Sequence, residues 1–166
     1  MSVSFPRWID GPPKYEYFSF IGDNEDGYAS EYMTIKANAL TPIPNDWSLQ
    51  EAATLPCAGL TAWRAIMEEG NLQPNETILV QGSGGVSIFA LQLAKAHGAN
   101  VIATTSSDEK AEKLKSLGAD EVVNYKEHPQ WGKEVLKLTA NEGVDHVVEV
   151  AGGESFNESI LSLIHI

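Results

Sequence analysis

Residues 77 to 97 read TILVQGSGGVSIFALQLAKAH, placing Gly82, Gly84 and Gly85 within four positions where a β-branched apolar run gives way to a helical stretch. Bare backbone at such a joint suits an anion. The first N–H groups of a helix have no partner inside it, and the helix dipole adds positive potential there. A strand-to-helix turn without Cβ atoms can therefore hold a phosphate against its amides. Gly82 is expected to make the tight turn, and Gly84 to admit a paired phosphate that any side chain would block. In a G-x-G-x-x-G reading the third position is Ser87. It is small enough to bring helix close to strand, provided its hydroxyl finds an acceptor such as a carbonyl one turn back. One such loop is a weak signal alone, and the elements around it decide.

Those elements alternate. The runs TILVQ, NVIATT, EVVNY and VDHVVEV are separated by amphipathic stretches ending in AHGA, SLGA and ANEG. Ile78, Val101, Val122 and Val144 are 23, 21 and 22 residues apart, a spacing that fits short βα units. Their crossovers must be right-handed and the strands parallel. The expected fold class is α/β, a Rossmann-type doubly wound parallel sheet, incomplete at four strands. Val86, Phe89, Ala90, Leu93 and Ala94 form the apolar stripe of the first helix, which should close at Gly98. The glycine loop thus follows a strand, opens a helix and heads a series of βα units, the context of a dinucleotide site. No Gly-Lys-Ser/Thr follows it, which excludes a P-loop.

The second strand ends ATTSSDEK, with Thr104, Thr105 and Ser106 where an NAD-binding fold would place a ribose-binding carboxylate. A methyltransferase would want an acid there too. A carboxylate at that point would repel a 2′-phosphate, whereas the hydroxyls of Thr105, Ser106 or Ser107, a helix N-terminus and the ammonium of Lys110 can hold one. NADP(H) is therefore expected over NAD(H). Ser106 and Glu109 also match a capping box, and Lys110 a solvated helix position. Tyr125, closing the third strand, could line the adenosine end or simply pack.

Eleven Lys and Arg against 23 Asp and Glu give a net charge of −12, which repels nucleic acid and anionic membranes. The single cysteine, Cys57, allows no internal disulfide, and MSVSFPRWID lacks the features of a signal peptide. A cytoplasmic setting is expected. Residues 1–46 are rich in aromatic residues, Gly and Pro, and the alternation in YASEYMTIKANAL suggests a strand or hairpin. Helical pattern begins at Ser48, which forms a capping-box spacing with Glu51, and Gly70 is the expected stop.

The pieces DGYASEYMTI, IPNDWSLQEAATLPCAGLTAW, VQGSGGVSIFALQLAKAHGANVIATTSSDEKAEKLKSLGADEVVNY and GVDHVVEVAGG together resemble the medium-chain dehydrogenase/reductase superfamily, in its zinc-type alcohol dehydrogenase-like and quinone oxidoreductase-like branches. The resemblance implies an NAD(P)-dependent oxidoreductase that transfers hydride between nicotinamide and a carbonyl, alcohol or enone. It implies residues 1–46 as the end of a GroES-like catalytic domain and 47–160 as a truncated Rossmann domain, the full-length form being a homodimer. Its cofactor site falls here on Thr61, Gly82, Gly84, Gly85, Val86, Thr105, Ser106, Lys110, Tyr125, Val150, Ala151 and Gly152. No catalytic residue is assigned. Cys57 falls where zinc-containing members place a metal thiolate, but three protein ligands are needed. A lone cysteine in an apolar helical stretch reads instead as a small buried hydrophobe, so no metal site is expected. His97, His128, His146 and His165 read as surface or packing residues. Family members are roughly twice as long, and residues 161–166, LSLIHI, match the translation of a sequencing adaptor and are expected to be non-native. With only four of the Rossmann strands present, the last has lost its neighbours and is expected to expose an edge. Two alternatives stand beside the enzyme: a non-catalytic redox-sensing module, and an inactive truncated fragment.

Overall fold

Strand β1 (Thr77–Gln81) has an apolar side chain at every position from Ile78 to Val80, the pattern of a strand covered on both faces. Its period of two sends Ile78 and Val80 to one face, and Leu79 to the other. The computed structural model describes residues 1–3, 5–18, 21–23 and 25–164. In it β1, β2 (Asn100–Thr105), β3 (Glu121–Asn124) and β4 (His146–Val148) form one parallel sheet in the order β3-β2-β1-β4. Ile78 pairs with Val101 on one side and with His146 on the other. The parallel α/β sheet read from the strand spacing is thus the fold.

Helices cover both faces. On the first, Ala90, Leu91 and Ala94 of helix α3 (Gly85–His97) and Leu114 of α4 (Asp108–Ser116) pack on Ile78, Val80, Val101 and Ala103. Ala62, of the short α2 (Leu60–Trp63), and Ile66 join that core. On the second, Trp131 and Val135 of α5 (Trp131–Leu138) pack with Leu79, Ile102 and Val123. The expected stripe on α3 is only one border of its buried face. Its centre runs Ser87, Ala90, Leu91, Ala94, because small side chains let the helix lie close to the sheet, while Val86, Phe89 and Leu93 are half-buried around it. Gly98, at φ +89, ends α3 in the left-handed region.

The helix before β1 is stopped at Gly70 without a left-handed glycine. Gly70 is right-handed, and a Cβ there would lie 2.8 Å from the Ala65 carbonyl oxygen. Asn71 carries the positive φ instead, at 48°. At the carboxyl end of the chain, α6 (Ser155–Leu161) leads into Ser162–Ile164, which lie against the start of the β4 segment. Val144 donates to the Ser162 carbonyl at 2.8 Å and accepts from Ile164 at 3.0 Å. Ser162 is fully buried. Val144 is therefore paired by a single bridge to Leu163, while β4 itself stands at the edge of the sheet, as expected of the last strand. His165 lies outside the described residues.

The chain divides into two compact units, Met1–Cys57 and Ala58–Ile166. In the first, Ser48 and Glu51 make the anticipated capping box at the start of α1 (Leu49–Thr54). Hydrogen bonds from the Ser48 hydroxyl and amide hold the Glu51 carboxyl below its usual range. The strand or hairpin expected over residues 28–40 does not form. Tyr32 is 91% exposed, residues Ala37–Ala39 make a single 3-10 turn, and only Leu40 bridges, to Ser2. Alternation specifies a face but no partner, and an extended segment without a neighbouring ladder is not a strand. Among the described residues no helix is long and apolar enough to cross a membrane.

Candidate functional site

The sheet order reverses at β1, whose neighbours are β2 on one side and β4 on the other. In open α/β sheets ligands bind at the carboxyl ends of the strands beside that point. The glycine loop lies there. Gly82 takes φ +72, a conformation an L residue adopts only with strain, and its N–H donates to the Thr104 carbonyl at 2.9 Å, fastening the turn to β2. Gly84 is the extended N-cap of α3. A Cβ built on Gly82 or Gly84 meets nothing within 4 Å, so the space over the loop is open. Gly85 has a different reason to be glycine: its Cβ would lie 3.2 Å from that of Ala58. Thr61, exposed, is three residues further along from Ala58, and Val86 is half-buried in the first turn of α3.

Ser87 is 1% exposed. Its hydroxyl donates to the carbonyl of Gln81 at 2.5 Å, not to a carbonyl one turn back. The acceptor is the last residue of β1, so the bond ties helix to strand as a close approach requires.

At the tip of β2 the structure separates residues that the sequence had grouped. Thr105 is 1% exposed, its hydroxyl within 3.4 Å of the Ser107 carbonyl and its own carbonyl accepting from Tyr125 at 2.9 Å. It braces the strand tip and does not present a hydroxyl outward, because β2 is covered on both faces here: Thr104, of the opposite parity, is 3% exposed. Ser106 and Ser107 are half-buried, and Lys110 is exposed in the first turn of α4. The Ser106–Glu109 capping box is absent. The N-cap is Ser107, one residue later, and its side chain makes no cap bond. Tyr125, 41% exposed, follows β3. Val150, Ala151 and Gly152 form an exposed turn after β4, with Gly152 at φ +64. The loops after β1, β2, β3 and β4 thus all lie at one end of the sheet.

Three residues absent from the sequence reading organise that end. Gln81 is 7% exposed. Its Nε2 donates to Glu149 Oε2 at 2.8 Å and to Ser159 Oγ at 2.6 Å. Its Oε1 lies 3.4 and 3.3 Å from the N–H groups of Val150 and Ala151. Glu149 Oε1 accepts from Ala151 and Gly152, each at 2.8 Å, and Oε2 accepts from the Ser159 hydroxyl. Burial opposes charge on Glu149, but bonds from Ser159, Gly152, Gln81 and Ala151 outweigh it and hold the carboxyl below its usual range. One signal was available. Gln81 shares the parity of buried Leu79, and a polar side chain at a core-facing position must have partners.

Cys57 is exposed, not buried as expected. It lies in a wide π-type turn, Leu55–Gly59, and lines a cavity of about 530 Å³ with Ala53, Pro56 and residues of the amino-terminal segment. Among the described residues no three His, Cys, Asp or Glu side chains converge as metal ligands. His146 Nε2 lies 2.9 Å from Glu76, His128 Nδ1 lies 4.0 Å from Glu134, and His97 is exposed.

With this geometry in place, the likenesses to known proteins are informative. A family profile described as zinc-binding dehydrogenase matches residues 85–165. A zinc-type alcohol dehydrogenase-like protein of Schizosaccharomyces pombe is 44% identical over 162 residues, 96% of this chain and 47% of its own length. The crystal structure of a candidate alcohol dehydrogenase from Sinorhizobium meliloti superposes with a TM-score of 0.90 at 40% identity, covering 98% of this chain and 48% of that one. The chain belongs to the medium-chain dehydrogenase/reductase superfamily. It spans about half the length of the curated relatives it matches. A further superfamily structure, described as an NAD-dependent alcohol dehydrogenase, superposes with a TM-score of 0.82 at 40% identity over 87% of this chain and 42% of that one.

Proposed function

We propose that the chain is the nucleotide-binding part of an NADP(H)-dependent oxidoreductase of the alcohol dehydrogenase or quinone reductase type. The observation that carries this reading is the open glycine loop at the reversal of strand order, where a Cβ on Gly82 or Gly84 would enter free space. A dinucleotide fits that place: bare backbone for close approach, the first-turn N–H groups of α3 for the pyrophosphate, and exposed Val150 and Ala151 as apolar contacts beside it. When bound, the nicotinamide would supply hydride chemistry to a carbonyl, alcohol or enone. The protein's residues would bind and orient it. Gly82, Gly84, Gly85 and Val86 would hold the pyrophosphate, and Thr61 would orient the ring.

The preference for NADP(H) rests on the tip of β2. Its last residue is a buried threonine, followed by half-buried Ser106 and Ser107, with the exposed Lys110 in the adjoining helical turn. No carboxylate stands at the end of the strand to repel a 2′-phosphate. The same reading takes residues 1–46 as the end of a GroES-like substrate domain and 47–160 as nucleotide-binding. Hydride transfer is proposed for the whole protein.

Fluorescence titration of the chain with NADPH and NADH tests the reading. NADPH should bind more tightly, and Ser106→Asp should move the preference toward NADH. Thr105→Asp is the poorer variant, because it would bury a charge. Equal or tighter binding of NADH by the wild type overturns the phosphate argument. Failure to bind either nucleotide overturns the site.

A further inference from the structure

The loops after β1 and β4 flank the proposed crevice, and each is built from a short turn with no regular structure of its own. Something must hold them in register. On the β1 side, Gln81 immediately precedes Gly82. On the β4 side, Glu149 immediately precedes Val150. Their side chains meet at 2.8 Å although 68 residues separate them in the chain. Gln81 is buried and Glu149 half-buried, and each is bonded to more than one partner.

The bonding is directional. Glu149 takes the N–H groups of Ala151 and Gly152 on one oxygen, which folds the turn back on its own strand. Its other oxygen takes Gln81 Nε2 and the Ser159 hydroxyl. Gln81 Oε1 faces the N–H groups of Val150 and Ala151, and its main-chain carbonyl takes Ser87. One residue is therefore bonded to the first turn of α3, to α6 and to the turn after β4. The polar atoms of both side chains are engaged by these bonds within the protein, so both act on the loops and neither is assigned a catalytic role.

We infer that Gln81 and Glu149 are positioning residues, a latch that fixes the glycine loop relative to the Val150–Gly152 turn and thereby sets affinity for the nicotinamide cofactor. The inference rests on the nucleotide-binding reading above and adds to it the residues that preorganise the site. Preorganised loops bind more tightly because less ordering remains for the ligand to impose.

Exchanging the two side chains tests the latch. Glu149→Gln alone leaves two amides facing each other with fewer acceptors, and Gln81→Glu alone opposes two carboxylates. Each single variant should bind NADPH at least tenfold more weakly. In the double variant the carboxylate at 81 accepts from the amide at 149 and from the Ser159 hydroxyl, and the amide at 149 donates to the Ser159 oxygen, so the bonds among the three side chains return with the roles of 81 and 149 exchanged while the backbone N–H groups of residues 150–152 keep an oxygen to donate to. Its affinity should return to within about threefold of wild type, which a loss of mere stability would not produce. A double variant as weak as either single overturns the latch, as do single variants that bind like wild type.

Amide hydrogen exchange in the wild type supplies a readout that needs no variant to fold. The Ala151 and Gly152 amides should exchange at least tenfold more slowly than their unstructured rates. Exchange at unstructured rates overturns the latch whatever the variants do. Wild type that keeps both amides protected but binds neither NADPH nor NADH overturns the cofactor reading, and the positioning role with it. Protected amides distinguish that outcome from a failed latch.

Discussion

The two ends of the sheet are built on opposite principles. At the amino end, carboxylates close the strands: Asp145 accepts from the Thr77 amide at 2.7 Å, and Asp120 from the Val101 amide at 2.7 Å. Lys95 spans from α3 to Asp120 at 2.8 Å, and His146 meets Glu76 at 2.9 Å. Backbone donors there are satisfied by the chain's own acids. At the carboxyl end the acid is set back: Glu149 organises a turn from behind, and the face over Gly82 and Gly84 carries no side chain. The contrast teaches that one end satisfies its backbone donors from within the chain, whereas the other keeps an open face at the site proposed for an anion.

The sharpest way to break this contrast is Gly84→Val. At φ −78 a side chain is tolerated and a Cβ meets nothing, so the melting temperature should change by no more than about 2 °C. NADPH affinity should fall at least 100-fold, about 2.7 kcal/mol by the relation of affinity to free energy. A titration with wild-type affinity would sink the idea that the open face is the site. Asp145→Ala makes the opposite trade at the amino end. It strips the Thr77 amide of its acceptor and should cost about 1–3 kcal/mol in urea unfolding with nucleotide affinity unchanged. Gly85→Ala falls between, since the neighbouring Ala58 Cβ at 3.2 Å must give way. A loss of about 1 kcal/mol is expected, comparable to mild overpacking, and calorimetry would detect it.

The smallest effect is acidic. Burial opposes charge on Asp120, but the hydrogen bond from Lys95, the Val101 amide and the Lys95 charge together hold its carboxyl below the usual range. A depressed value means the stabilisation is complete above the ordinary value of 3.8 and disappears as pH falls through the lower folded value. Asp120 is partly exposed, so screening limits the contribution to less than about 1 kcal/mol. Asp120→Asn should therefore lower stability at pH 7 and flatten its fall below pH 4. An unchanged acid profile would show that the amino end does not depend on this pair.

Much of this could be read from the residues themselves. TILVQ and NVIATT are β1 and β2 to the residue, because β-branched runs between Gly- and Asn-containing turns leave little else to form. Spacing then requires parallel crossovers, and with them the placement of the glycine loop at the carboxyl end. The failures have a shared cause. Alternation over residues 28–40 names no partner, the burial of Thr105 depends on the elements that cover β2, and the exposed Cys57 lies in a π-type turn that an apolar helical pattern does not announce.

Local composition and period determined the βα order, the sheet and the glycine loop at its carboxyl end, since these depend on neighbours a few residues away. Only tertiary structure could decide that Gln81 and Glu149 meet, that Ser87 bonds to a strand and that Gly85 yields to Ala58. Each of those facts depends on distance between residues far apart in the chain, which packing sets and periodicity does not encode.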